Sequence, residues 1–171
     1  MNSNPDARPI TLVVERKSLI ADDIYMFELH SASGAELPPF TPGSHITVTT
    51  PSGQKRRYSL CNDSEECDRY VIAVKQEKSG RGGSLSFTSK IQEGDEVIVE
   101  SPANEFAMST SEPKSYVFIA GGIGITPFRS MIQYMKAYES RIQVVVSHRT
   151  TFLQSRMCGW CQADFKPATQ R

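Results

Sequence analysis

The chain has 171 residues, 39% of them hydrophobic and 22% charged, with Lys+Arg 19 balanced by Asp+Glu 19. A formal net charge of zero supplies no basic face for general nucleic-acid binding, and no apolar run approaches the length of a membrane span. The length suits one large domain or two small ones. Residues 1–9 have no apolar signal core and the four cysteines form no disulfide framework, so a reducing cytoplasm is the expected compartment.

Residues 1–9 read as a disordered lead-in. Residues 10–20 are rich in β-branched side chains and predict a strand, with Ile10, Leu12 and Val14 on one face. A turn at Asp22 and Asp23 leads to a second strand over residues 24–30, which alternates Ile24, Met26, Glu28 against Tyr25, Phe27, Leu29. Pro42-Gly43 launches a strand over residues 44–50, Ser52-Gly53 turns the chain, and residues 55–60 return. Residues 70–76 and 96–100 add two more strands. Short strands with frequent turn signals predict an antiparallel barrel or sandwich. Residues 81–91 break the pattern and suit a short amphipathic helix through Ser84, Leu85, Phe87, Thr88 and Ile91. The irregular stretch 102–113 marks a boundary.

A second unit begins with the continuous apolar run 115–120, of the kind found in buried parallel strands. A glycine turn over residues 121–124 follows. Thr126 reads as the cap of a helix with Pro127 in its first turn, and Phe128, Met131, Ile132 and Met135 fall at helical spacing. Residues 142–146 predict the next strand, giving one βαβ unit with a parallel sheet. After Phe152 the pattern dissolves. The expected divisions are therefore a lead-in at 1–9, a barrel domain at 10–113, a partial α/β domain at 114–152 and an atypical tail at 153–171.

Three stretches carry chemistry. In Arg56-Arg57-Tyr58-Ser59-Leu60, alternation puts Arg56, Tyr58 and Leu60 on one face and Arg57 and Ser59 on the other. A guanidinium can hold a phosphate bidentately, a tyrosine ring can cover an isoalloxazine, and the serine hydroxyl can reach the ring edge. The plainer alternative is an edge strand with solvated charges and a core tyrosine. In Gly80-Arg81-Gly82-Gly83-Ser84 the glycines let backbone N–H groups converge at a helix start, which favours an anion. A hairpin tip would look the same. Gly121-Gly122-Ile123-Gly124 is not the Rossmann fingerprint, yet it follows a buried strand and precedes a helix, so a dinucleotide pyrophosphate can approach its backbone. A tight strand-to-helix turn is the competing reading.

In that order, with Pro42-Gly43-Ser44-His45 upstream, the motifs resemble the ferredoxin–NADP reductase superfamily, in its phthalate dioxygenase reductase and vanillate O-demethylase reductase branch. The resemblance runs from about residue 10 to about residue 152 and implies an antiparallel six-stranded flavin-binding barrel, followed by the first βαβ part of an NAD-binding α/β domain. Its Gly-Arg-Gly-Gly-Ser version points to FMN rather than FAD. By that likeness Arg56 and Ser84, with the Gly82 and Gly83 amides, would hold the phosphate. Tyr58 and Ser59 would lie along the flavin, and Ala73, Val74 and Lys75 would pass beside it through main-chain contacts. Arg57 is counted with the cofactor-binding residues. Gly121, Gly122 and Gly124 would approach NADH or NADPH, Thr126 would stand where flavin and nicotinamide meet, and Ser147 and Arg149 would contact the far half of the dinucleotide. Ser59 and Thr126 are the two expected beside the reacting atoms.

The implied reaction is hydride transfer from nicotinamide C4 to flavin N5, then one-electron transfer to an iron–sulfur centre. The acceptor would be a Rieske oxygenase component or a separate ferredoxin, with no nucleic-acid or membrane partner. Family members normally add a plant-type ferredoxin domain, and no Cys-x4-Cys-x2-Cys run stands here, so no iron–sulfur cluster and no metal is expected in this chain. Cys158 and Cys161 have the spacing of a redox pair, or of half a zinc site with His148, without the context of either. The tail is expected to be foreign to the fold, as in a truncated or frame-shifted product. The alternatives to a working reductase are a non-catalytic or inactive flavin-binding fragment and a stand-alone NADH:flavin reductase. A half-built sheet would also make the chain aggregation-prone.

Overall fold

The structure is a computed structural model that describes residues 9–108, 115–137 and 141–146. Eight strands and two α-helices follow in the order β1 (Pro9–Ala21), β2 (Ile24–Ser31), β3 (His45–Thr49), β4 (Lys55–Ser59), β5 (Arg69–Lys75), α1 (Gly83–Lys90), β6 (Glu96–Ala103), β7 (Ser115–Ala120), α2 (Thr126–Ala137) and β8 (Arg141–Val146). The first six strands form one antiparallel sheet in the order β4-β3-β6-β1-β2-β5. Its end strands curl towards each other and meet at a single bridge, Leu60 to Ile72, beside the bond from Cys61 N–H to Val71 O at 2.8 Å. Beyond that bridge the ladder is open.

Inward side chains of all six strands or their ends build the first core, including Leu12, Val14, Phe27, Leu29, Ile46, Val48, Leu60, Ile72, Val74, Val97 and Val99. Helix α1 closes the barrel by inserting Phe87, which is fully buried and packs 4.8 Å from Phe27 between ring centroids. Burying such a ring contributes about 2–3 kcal/mol. The far end of α1 is held by Lys17, whose Nζ donates to Thr88 O at 2.7 Å and Ile91 O at 2.8 Å. A cation there satisfies carbonyls that the helix leaves without partners and opposes its dipole.

A second core lies outside the barrel. Ile24, Cys61, Val71 and Ala73 face outward from the barrel and pack against Ala120 and Ile125. Strands β2 and β5 are thus covered on both faces, which explains why residues 70–74 read as an unbroken apolar run rather than an alternation. The second unit is the expected βαβ: β7 and β8 pair in parallel, and Met131, Ile132 and Met135 of α2 pack with Phe118.

Three expectations need correcting. Thr126 does not cap α2: a 3-10 turn at Gly122–Ile125 runs directly into the helix, and Thr126 already has helical dihedrals. β6 does not end at Glu100 but continues through Pro102 to Ala103. It can do so because the pairing with β3 slips between Thr47↔Glu100 and His45↔Ala103, and a proline without an N–H is tolerated at such an irregularity. Pro9 belongs to β1, not to the lead-in. Ser147, His148, Arg149, Cys158, Cys161 and the tail at 153–171 lie outside the described residues.

Candidate flavin site

The open seam between β4 and β5 is the first component of the site. Val71 directs its carbonyl across the seam to Cys61, so by the alternation of a strand the backbone groups of Ala73 and Lys75 face the same way. Among the described residues no strand pairs with that edge beyond the bridge, whereas the opposite edge of β5 is paired with β2 along its length. A flat group can lie along this edge and take up the exposed main-chain donors and acceptors. Val74 points its side chain into the barrel core, and by the same alternation its backbone groups face β2 rather than the seam, unlike those of Ala73 and Lys75.

The second component is the start of α1. Gly82 holds a left-handed conformation (φ 83°), no side chain caps the helix, and its first turn contains no acidic residue. The first intrahelical bond is Ser86 N–H to Gly82 O at 2.8 Å. The preceding N–H groups therefore lack acceptors within the helix and, with the dipole, form an anion-binding mouth. Arg56 lies over it: a Cβ on Gly83 would come 2.7 Å from Arg56 Nε and 2.9 Å from Cζ. Glycine at this position lets the guanidinium rest on the bare backbone. Ser84 Oγ accepts the Glu77 N–H at 3.1 Å and keeps its own proton to donate.

The third component is Tyr58. Its ring sits 6.0 Å from that of Phe87. Its hydroxyl is buried without a hydrogen-bond partner among the described residues, and burial pushes its pKa up to about 12 against the opposing pull of Arg56. An orphaned buried hydroxyl costs free energy, which a bound polar group would recover. Arg56 and Tyr58 share the inward face, as alternation predicted. Arg57 points the other way, is exposed, and pairs with Glu105 at 2.7 Å, so it stands apart from the mouth of α1. Ser59 is directly opposite His45, whose pKa is held below its ordinary value by burial and by Arg57, with Glu105 opposing.

The glycine loop of the second unit comes alongside through the outer core. Ile125 packs with Cys61 and Ala73, which brings the buried Thr126 beside the seam. Thr126 Oγ1 donates to Ile123 O at 3.0 Å. Gly122 has φ 53°, and added Cβ atoms at Gly122 and Gly124 would meet nothing within 4 Å, so the backbone is open to a close approach. Two residues absent from the sequence-based site join it here. Arg129 on α2 donates from Nη1 to Cys61 O at 2.6 Å, tying the helix after the second glycine loop to the residue just past the β4–β5 bridge. Gln54, in the β3–β4 turn, bonds to Arg56 and to the Arg81 carbonyl. A glutamine in a hairpin turn and an arginine on a helix carry no sequence signal of such roles. Among the described residues no group of His, Cys, Asp or Glu has the arrangement of a metal site, and no helix is long and apolar enough to cross a membrane.

These features suit a planar ring with a phosphate at one end. Residues 11–108, more than half of the chain, match the oxidoreductase FAD-binding domain model. The phthalate dioxygenase reductase of Burkholderia cepacia is 51% identical over 128 residues, which are 75% of this chain and 39% of that protein. The vanillate O-demethylase oxidoreductase of Pseudomonas putida is 39% identical over 158 residues, 91% of this chain and 49% of that protein. A solved phthalate dioxygenase reductase, described as a modular structure for electron transfer from pyridine nucleotides to [2Fe-2S], superposes with a TM-score of 0.80 at 47% identity, covering 83% of this chain and 44% of that one. The chain thus spans less than half the length of these relatives. With more than half of its residues matched by the family model, the chain belongs to the oxidoreductase FAD-binding domain family.

Proposed function

We propose that the chain carries the flavin site of a reductase component of an aromatic oxygenase system, moving electrons from NADH or NADPH through FMN to an iron–sulfur acceptor on a Rieske oxygenase component or a separate ferredoxin. The observation that carries this reading is the uncapped mouth of α1 with Arg56 lying over Gly83. The division into a barrel at 10–113 and a partial nucleotide unit at 114–152 belongs to the same proposal. So do the cytoplasmic setting and the preference for FMN over FAD, which rests on the Gly80–Ser84 motif alone.

In this reading Arg56, the Gly83 and Ser84 N–H groups and the Ser84 hydroxyl hold the phosphate, with charge-assisted hydrogen bonds as the main source of affinity. Tyr58 covers the ring, and its hydroxyl gains the partner it lacks. The Ala73–Lys75 edge binds the ring's polar rim through main-chain groups. Ser59 and Thr126 border the reacting edge, Gly121, Gly122 and Gly124 accept the dinucleotide backbone, and Ser147 and Arg149 serve its far half. Bound there, the flavin supplies the conversion of a hydride's two electrons into single-electron steps. The protein supplies orientation and exclusion of water, and no side chain needs to act as an acid or base in the hydride step.

The test is the flavin content of the purified chain, identified after denaturation. Near-stoichiometric FMN is expected, released FAD overturns the FMN preference, and a folded chain that takes up no flavin overturns the site. Bleaching of the flavin by NADH then separates a reductase from a flavin-binding fragment. The fragment reading draws on Ile119 of β7, a large apolar side chain that is 71% exposed.

A further inference from the structure

The β3–β4 hairpin tip is joined to α1 at one point and to the glycine loop that precedes it at another. Ser52 Oγ lies 3.0 Å from Thr50 Oγ1 and 3.1 Å from Ser86 Oγ on α1. Next to it, the Gln54 carboxamide spans the gap directly: Nε2 donates to Arg81 O, and Oε1 accepts from Nη2 of Arg56. Arg56 Nη1 also donates to Lys55 O at 2.9 Å. These contacts fix a long side chain that would otherwise lose considerable rotamer freedom on binding an anion, and they leave further guanidinium N–H groups for a ligand.

We propose that Gln54 is a positioning residue for phosphate recognition: its carboxamide straps the Arg56 guanidinium to the glycine loop, so that the arginine is preorganised over the mouth of α1 before the ligand arrives. The inference rests on the reading that this mouth takes the phosphate of a flavin mononucleotide. An amide is the side chain that suits the place. It accepts from a guanidinium and donates to a carbonyl at once, whereas a carboxylate only accepts and a hydrocarbon does neither. Preorganisation raises affinity by removing an ordering cost at binding.

The chemistry separates this role from a structural one, because riboflavin has the same ring as FMN without the phosphate. Titrations of the apoprotein with FMN and with riboflavin would be made for the native chain, Gln54→Leu and Gln54→Glu. Gln54→Leu is expected to weaken FMN about tenfold, the scale of one hydrogen bond to a charged group, with riboflavin changed less than about twofold. Gln54→Glu keeps the contact with Arg56, loses the one to Arg81 and sets a negative charge beside the phosphate, so FMN should weaken more than in Gln54→Leu. In an Arg56→Ala background, Gln54→Leu should have no further effect on FMN, since it acts through Arg56. The inference is overturned if the native chain favours FMN over riboflavin but Gln54→Leu keeps that ratio, weakens both ligands alike, or still weakens FMN without Arg56. A native chain that binds FMN no better than riboflavin instead overturns the phosphate site itself.

Discussion

Replacing Gly83 with alanine sets two effects of opposite sign against each other. Gly83 is the first residue of α1 and has no left-handed backbone requirement, so a methyl group there improves helix propensity, by a fraction of the roughly 1 kcal/mol that separates glycine from alanine in a helix interior. The added Cβ would sit 2.7 Å from Arg56 Nε, but its three nearest neighbours all belong to that one flexible side chain. Arg56 can swing away at little cost to the fold, and in doing so it leaves the α1 mouth. The apoprotein should therefore melt between unchanged and about 4 °C higher. FMN affinity should fall by about 10- to 100-fold, the loss of a charge-assisted contact of about 1.5–3 kcal/mol. Differential scanning fluorimetry and calorimetric titration read the two quantities separately. Unchanged FMN affinity would refute the placement of Arg56 in the site, and a large drop in melting temperature would refute the claim that only Arg56 has to move.

The buried Tyr58 hydroxyl makes Tyr58→Phe about 1 kcal/mol more stable without flavin, measured by denaturant titration, while flavin binding weakens. Tyr58, pushed up to about 12, and Tyr70, also raised by burial, should make the native chain lose stability as pH climbs from about 10. In that window the unfolded tyrosines release protons and the folded ones do not; the alkaline slope should be shallower in Tyr58→Phe. Gly43 holds φ 94° and an added Cβ would come 2.1 Å from the Phe106 carbonyl oxygen, which cannot rotate away as a side chain can. Gly43→Ala should cost more than about 4 kcal/mol and abolish a cooperative melt. Arg129→Leu removes the bond to Cys61 O and should cost about 2 kcal/mol, with faster amide exchange in α2 and no change in flavin-to-protein ratio.

The barrel was legible because its strands announce themselves locally. Turn residues bracket each of them, and Arg56, Tyr58 and Leu60 take the inward face that a period of two assigns. The errors fall where the surroundings override a residue's own signal, in one case a distant strand and in the other the adjoining turn. Pro102 reads as a strand stop, yet a slip against β3 lets β6 run past it. Thr126 has the composition of a cap, yet the glycine turn is itself helical enough to extend the helix backwards. The mouth of α1 was visible in its glycines. The strap that holds Arg56 was not, because Gln54 acts only once the hairpin tip and the glycine loop, 27 positions apart, come together.

The two cores assign different fates to the two halves of the proposed reaction. The barrel core draws every member from the first six strands, α1 and their connecting loops, so flavin binding does not depend on how the second unit is completed. The outer core does depend on it, since Ala120 and Ile125 supply one side while Ile119 of β7 stays exposed. Parallel sheets are stable when both faces are covered, and the relatives have more than half their length beyond the matched region. Flavin retention should then be insensitive to truncation at residue 113, measured by absorbance after gel filtration, whereas reduction by NADH should need the second unit covered. Loss of flavin on that truncation would place part of the ring's binding energy on residues 121–126, and would make the seam between β4 and β5 a shared site rather than one the barrel owns.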